Sequence, residues 1–413
     1  MVGKPCRKVM LVCNRSWGLW RFRRGLIEAL LHRGIAVVAV TPPGLYMEKI
    51  VRAGARHIPV ALDEFVAPHR DLRLCFALYR IFRAEKPDIV HNMTAKPNIY
   101  GSLAAWLAGV PKIVSLVCGA GYGFGEGGGW KATSLRFLIR QLYRISSRVN
   151  SRMYFLNPDD RNLFLDSGMI APDRAVLVPS EGVDLDEFSP ASVDQDEVAR
   201  LRAELRIQPA MQVVLMVVGR AIWSKGVREF VEAAKRVQAL GLAVKFVLVG
   251  PIDPGNPDSV PEEYLKNAAS PWFAHLGTQA DIASTLALGD VVVFPSYYRE
   301  GVPRVLLEAL AMGKPVVTTD SVGCREVVDH GKNGLLVPVK DAGALVTAIL
   351  AILRDKELRT AFGARSRAKA CKEFDERKIV AQILSEVYDL PAETPADRAG
   401  VQESRSRVVV SKS

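Results

Sequence analysis

The pattern that most restricts this chain is an alternation of short apolar runs with amphipathic helical stretches, written out twice. Strands separated by helices pair in parallel, with the helices covering the sheet on both faces. In the first half Lys8–Asn14 reads as a strand and Trp20–Arg33 as a helix ending at Gly34. Ile35–Thr41 is the next strand, cut off by Pro42, Pro43 and Gly44. A helix over Leu72–Glu85, a strand at Asp88–His91, a helix over Tyr100–Leu107, a strand at Lys112–Val117, a helix over Lys131–Ser147 and a strand at Met153–Leu156 follow. The second half restarts at Gln212–Val218, with a helix at Val227–Leu240 and a strand at Lys245–Gly250. It continues through a helix at Asp281–Ala287, a strand at Val291–Pro295, a helix at Gly301–Met312, a strand at Pro315–Thr319 and a helix at Ala342–Arg354. The expected fold class is therefore α/β, two Rossmann-like domains whose parallel sheets face a central cleft. The N-terminal domain spans residues 1–185 and the C-terminal one 186–390, its last helix able to cross back. The linker falls around Pro179–Asp196, and residues 391–413, polar and mixed in charge, read as a flexible tail.

At 413 residues the chain can fill two cores. Its six cysteines show no CxxC pairing or ligand spacing, which points to reduced thiols in a cytoplasmic protein and to no metal site. No apolar run approaches the roughly 18 residues that span a bilayer. Charge is uneven. Residues 1–190 hold 26 Lys and Arg against 16 Asp and Glu, a net of +10, whereas the remainder holds 29 against 28. The basic excess calls for an anionic partner on the N-terminal half.

Two carboxylates mark the second half. Glu300 closes a loop after an apolar strand, and Glu308 stands eight positions on, about two turns into a helix that would open near Val302. A helix start offers free N–H groups and a positive dipole end, which suit a diphosphate. Pro303 has no N–H, so Gly301, Val302 and Arg304 are the donors. Carboxylates flanking an anion site suit a ligand with hydroxyls on both sides of a diphosphate, and a nucleotide sugar is such a ligand. Gly219 and Arg220 end another strand, with Lys225 five positions after Arg220. Fixed cations there would stabilise the charge that builds on a departing diphosphate. Asp253, beyond the strand ending at Gly250, reads more readily as part of a turn. The His275-Leu276-Gly277-Thr278 stretch reads as a loop that holds a nucleobase by backbone contacts, with Leu276 at its centre.

The N-terminal half would supply the acceptor side. Asn14 and Arg15 follow its first strand, and His91 stands at the end of its third. His91 either faces a ligand or is a satisfied structural histidine. The glycine-rich Cys118–Gly129 stretch lacks the Lys-Ser/Thr of an ATP-binding loop and reads as a mobile cover. Arg136, Arg140, Arg144 and Arg148 recur every four residues on one helix, and no acidic residue occurs from Gly127 to Pro158. Leu135, Phe137, Leu138, Ile139, Leu142 and Ile145 alternate with them. This is a core-facing helix with a solvated basic stripe, or a basic amphipathic helix lying on anionic lipid. Trp17, Trp20 and Phe22 among Arg15, Arg21, Arg23 and Arg24 would add an interfacial patch. No nucleic-acid-binding module is recognisable, so nucleic acid is not an expected partner.

Taken together, these motifs resemble the retaining glycosyltransferases of family four, which have the GT-B fold. Glu181-Gly-Val-Asp-Leu-Asp-Glu-Phe188 resembles the family's interdomain segment, and Gly219 through Gly226 with Glu300 through Glu308 resemble its donor site. His91 to Gly101, continuing to Ser115, is similar to bacterial enzymes that extend undecaprenyl-diphosphate-linked saccharides, such as N-acetylgalactosaminyltransferases. The resemblance implies that Arg220 and Lys225 hold the donor diphosphate, Glu300 contacts the sugar and Glu308 the ribose. It implies front-face attack, with the leaving phosphate taking the acceptor proton and no protein nucleophile. Ser180-Glu181 departs from the small residue and Asn that family members often carry. The glycine-rich stretch lacks their histidine, which leaves His91 as the candidate base.

The expected activity is transfer of an N-acetylhexosamine or hexose from a UDP-sugar, without a metal cofactor, to a lipid-linked or polysaccharide-precursor acceptor. The enzyme would sit in the cytoplasm, peripheral on the inner face of the plasma membrane. The rivals are a GT-B sugar-nucleotide epimerase or hydrolase and a non-catalytic basic scaffold.

Overall fold

The structure, a computed structural model, describes residues 6–62, 68–119, 124 and 129–391. Most of the glycine-rich stretch and nearly all of the tail lie outside them. The chain forms two compact units, one from the residues up to Glu181 together with those from Glu376 onward, the other from Gly182 to Asp375.

In the first unit the elements run β1 (Lys8–Val12), α1 (Ser16–His32), β2 (Ala36–Thr41), α2 (Met47–Arg52), β3 (Arg56–Pro59), α3 (Pro68–Glu85) and β4 (Ile89–Met93). A π-helical turn at Pro97–Gly101 leads into α4 (Ser102–Leu107), then β5 (Lys112–Val117), α5 (Trp130–Ser147), β6 (Arg152–Phe155), α6 (Pro158–Asp166) and β7 (Ala175–Leu177). The seven strands pair in parallel in the order β3-β2-β1-β4-β5-β6-β7. The order reverses between β1 and β4. Right-handed crossovers then place α1 and α2 on one face and α3, α4 and α5 side by side on the other. The central strands are buried on both faces, with Val9 through Val12 at 0% exposure, which is why they read as unbroken apolar runs.

The second unit follows as α7 (Gln195–Glu204), β8 (Gln212–Val217), α8 (Val227–Ala239), β9 (Val244–Val249), α9 (Glu262–Ala268), β10 (Phe273–His275) and α10 (Ile282–Ala287). After these come β11 (Val291–Phe294), α11 (Arg304–Ala311), β12 (Val316–Thr319), β13 (Gly334–Val337), α12 (Ala342–Arg354) and α13 (Lys356–Glu373). Its sheet is parallel in the order β10-β9-β8-β11-β12-β13. The loops after β8 and β11 leave adjacent strands at the point where the order reverses, where open α/β sheets bind ligands.

The chain returns to the first unit as α14 (Glu376–Gln382), packed on α1. Gly25 of α1 makes room for this, since a Cβ there would lie 2.7 Å from the Glu376 carboxyl carbon. Arg23 of the same helix donates to Glu181 at 2.8 Å in a buried ion pair.

Three sequence expectations change. First, α11 starts at Arg304, with extended Pro303 as its cap. Gly301 and Val302 therefore lie in the loop, and Glu308 is one turn into the helix, not two. Second, Phe273–His275 is an edge strand pairing with β9, so the loop expected over His275–Thr278 begins at Leu276. Third, α5 turns Trp130, Phe137, Leu138 and Ile145 outward, so part of its apolar set is not core. Leu142 and Ile139 pack inward beside buried Tyr143.

Candidate active site

The loop after β8 carries both predicted cations. Gly219 is exposed, and Arg220 reaches Asp253 at 3.3 Å. A single 3-10 turn at Trp223–Lys225 ends at Gly226, whose φ of 82° is left-handed. A Cβ at Gly226 would lie 2.2 Å from the Pro295 carbonyl oxygen. Only glycine lets this loop press against the one after β11, and that approach sets Lys225 beside Glu300. Their side chains form an ion pair, at 16% and 12% exposure. Ser296 Oγ also donates to Glu300, at 3.2 Å. The Lys225 ammonium sits 5.4 Å from the ring centroids of both Phe294 and Tyr298. Burial, and then the Glu300 charge, raise the Tyr298 hydroxyl above its ordinary value. The loop after β12 closes in from another side, where a Cβ on Gly323 would come within 2.3 Å of the Gly301 carbonyl.

Glu308 is 3% exposed, and Arg304 Nε donates to it at 3.2 Å across one turn of α11. Val302 is buried in the loop between them and Glu300. Leu276 follows β10. Its N–H donates to the Leu248 carbonyl at 2.9 Å, and its own carbonyl accepts from the Gln279 side chain at 3.0 Å. The sequence reading singled out neither Ser224 nor Asp258, which hold the cation loop. They are 34 positions apart and no local pattern joins them.

The first unit places its candidates differently. His91 is fully buried, with Nδ1 2.7 Å from the Tyr388 hydroxyl and Nε2 3.1 Å from the Tyr154 hydroxyl. Burial, and then the charge of Arg23, hold its ring well below the usual histidine range. It is a neutral structural histidine, and the reading of it as a ligand-facing base is corrected. Asn14 and Arg15 are half-buried at the β1–α1 corner, Arg15 being the extended residue before the helix. Arg136, Arg140 and Arg144 of α5, with Arg148 as its C-cap, do not make one stripe. Arg144 turns aside to donate to the Ser167 carbonyl at 2.9 Å, Arg136 is half-buried, Arg140 lies over the Phe124 ring, and Arg148 is exposed. Among the described residues no group of His, Cys, Asp and Glu is gathered as a metal would need.

A dense pair of loops at a sheet's switch point, with a Lys–Glu pair, a second cation and a buried carboxylate, is equipped to bind a polyol joined to a diphosphate. Comparison with known proteins agrees with that chemistry. Residues 212–355 match the family described as "Glycosyl transferases group 1", and residues 18–181 match the "Glycosyl transferase 4-like domain". A Campylobacter jejuni N,N'-diacetylbacillosaminyl-diphospho-undecaprenol alpha-1,3-N-acetylgalactosaminyltransferase is 31% identical over 92% of this chain and 98% of its own. An Escherichia coli UDP-Gal:alpha-D-GlcNAc-diphosphoundecaprenol alpha-1,3-galactosyltransferase is 28% identical over 78% and 80%. Among solved structures, a Rickettsia africae glycosyltransferase superposes with a TM-score of 0.76 at 19% identity, over 93% of this chain and 98% of its own. Anabaena HepE in complex with UDP-glucose gives 0.75 at 19%, over 93% and 100%. The chain belongs to the family-four glycosyltransferases and has their GT-B fold of two parallel-sheet Rossmann-like domains.

Proposed function

We propose that this glycosyltransferase moves a sugar from a UDP-sugar to an undecaprenyl-diphosphate-linked saccharide with retention of anomeric configuration. The observation that carries the donor half is the Lys225–Glu300 pair at the switch point of the second sheet, with Arg220 beside it. Lys225 and Arg220 take the diphosphate, Glu300 the sugar hydroxyls, and Glu308 the ribose. The charge that grows on the departing phosphate is met by cations already in place, so little reorganisation is needed as the bond breaks. The leaving phosphate oxygen takes the acceptor's proton, which fits a buried, neutral His91. The acceptor class rests on the two bacterial relatives, whose named substrates are diphospho-undecaprenol saccharides.

Such an acceptor lies in a bilayer, and we place the membrane-facing surface on the first unit. Among the described residues no helix is long and apolar enough to cross a membrane. The neighbouring α3, α4 and α5 nevertheless expose Leu72, Phe76, Trp106, Trp130 and Phe137, each at more than half of its surface. Exposed Arg73, Arg80, Arg140 and Arg148 stand among them. Apolar anchors among cations suit a peripheral enzyme on the anionic inner face of the plasma membrane. The first test is a thermal-shift comparison of UDP, GDP and ADP, because a ligand of the native state raises its melting temperature by mass action. A selective shift with UDP supports the donor reading. An equal response to all three, or none at millimolar ligand, removes it.

A further inference from the structure

We propose that Asp258 is a positioning residue for the donor site, acting through Ser224 to hold the cation loop against the carboxylate loop. This rests on the donor reading above and extends it to a segment that touches neither Lys225 nor Glu300 in the contacts described. The loop after β9, from Gly250 to Pro261, lies along the loop after β8 and is joined to it repeatedly. Ala221 N–H donates to the Pro251 carbonyl at 2.7 Å, Trp223 N–H to the Asp258 carbonyl at 2.9 Å, and Val260 N–H to the Ala221 carbonyl at 3.0 Å. Two carboxylates then hold the two ends of the cation segment, Asp253 at Arg220 and Asp258 at Ser224.

The Asp258 contact does more than hold an end. Its Oδ2 accepts from the Ser224 N–H at 3.1 Å and from the Ser224 hydroxyl. The Ser224 carbonyl in turn accepts from Tyr297 N–H at 2.9 Å, Tyr298 N–H at 3.0 Å and Ser296 Oγ at 3.3 Å. Tyr298 faces the Lys225 ammonium, and Ser296 also reaches Glu300. One serine is thus gripped from behind by Asp258 and, through its carbonyl, gathers the backbone that carries the Glu300 loop. Lys225 is the next residue along the chain. The backbone of Asp258 is tied locally, its N–H donating to the Asn256 side chain at 2.9 Å.

A carboxylate in this place sets where Lys225 stands relative to Glu300 without meeting the ligand. Losing it lets the cation move by a fraction of an ångström or more, which changes contact with the distal phosphate and leaves the nucleoside end untouched. Misplacement of about 1 Å can cost about a hundredfold in a preorganised site. The readout is therefore the preference for UDP over UMP, measured by calorimetry on the full chain, together with the melting temperature. Wild type should bind UDP at least about tenfold more tightly than UMP, as expected when a charge-assisted contact to the second phosphate is made. In Asp258→Ala that preference should fall to about threefold or less, with UMP affinity unchanged. Asp258→Asn keeps an acceptor for Ser224 and should recover most of it. Ser224→Ala keeps the N–H contact and should fall between.

A wild-type protein with no UDP preference overturns the donor reading itself. A wild type that prefers UDP, with Asp258→Ala keeping the full preference, overturns only the positioning role. Equal losses of UDP and UMP affinity, or failure of both Asp258→Ala and Ser224→Ala to fold, would make the strap a general stability element and overturn it as well.

Discussion

Glu300, in the loop after β11, and His91, in the middle of β4, are used in different ways. Glu300 is partly exposed and shared by Lys225 and Ser296, and in its proposed role it exchanges those partners for sugar hydroxyls. Replacing it with Ala should lower turnover by about 10²–10³-fold, the usual loss when one transition-state contact is removed. The far-UV spectrum and melting temperature should stay near wild type, and near-normal turnover would take Glu300 out of the site. His91 is held neutral by burial, whereas in the unfolded chain it titrates near its ordinary value. Below that value the unfolded state binds a proton that the native state does not, so stability falls as pH drops. This one ring should contribute a slope of about 1.4 kcal/mol per pH unit below about pH 6.5, continuing down to its depressed native value. Urea titrations from pH 7 to 5 should show His91→Gln less pH-sensitive than wild type, though less stable at pH 7. Equal slopes would show that His91 titrates alike in both states. That it belongs to a strand was legible in the sequence, although the structure sets it in the middle of β4 and not at its end. Its burial was not legible, because the covering Tyr388 lies 297 positions away.

At the level of elements, the strands were legible because parallel strands buried on both faces leave unbroken apolar runs. Lys112–Val117 and Ala342–Arg354 fall where the sequence placed them. Edge elements were not. β10 has three residues and β3 four, too short for a period to show. The start of α11 was misplaced because its cap is Pro303, and no Ser, Thr, Asp or Asn stands within four residues before it to mark the start. The loops of the proposed donor site depend on close backbone approaches, and Gly226, next to Lys225, makes one against Pro295. Gly226→Ala adds a left-handed strain and a clash with the Pro295 carbonyl, together about 1–3 kcal/mol or more. Chemical denaturation should report that loss, and UDP affinity should fall with it because the clash forces the two loops apart. Unchanged UDP binding would mean that the loops adjust independently.

For the whole molecule, the charge count foretold a basic first half, but side-chain direction decides what that charge does. Arg144 is committed to α6, which leaves Arg140 and Arg148 to face outward with Phe137. Reversing Arg140 and Arg148 to Glu should weaken binding to anionic vesicles by tenfold or more, at about 1 kcal/mol per basic charge lost near the surface. Phe137→Ser should weaken binding to neutral vesicles too. Sedimentation with vesicles separates the two effects, and unaffected binding in both variants would remove this surface as the proposed membrane-facing one. The two-unit architecture was legible from the repeated alternation, whereas the ion pair of Arg23 with Glu181 and the return of Glu376 to Gly25 were not. That return sets a timetable for synthesis. The second unit is one unbroken stretch, so a ribosome can deliver it complete while the first still lacks α14 and the tyrosine that closes over His91. The part of the protein made first is therefore the last to be finished. A nascent chain arrested before Glu376 would carry a complete second unit and an open N-terminal core, a natural client for a chaperone waiting at the exit tunnel.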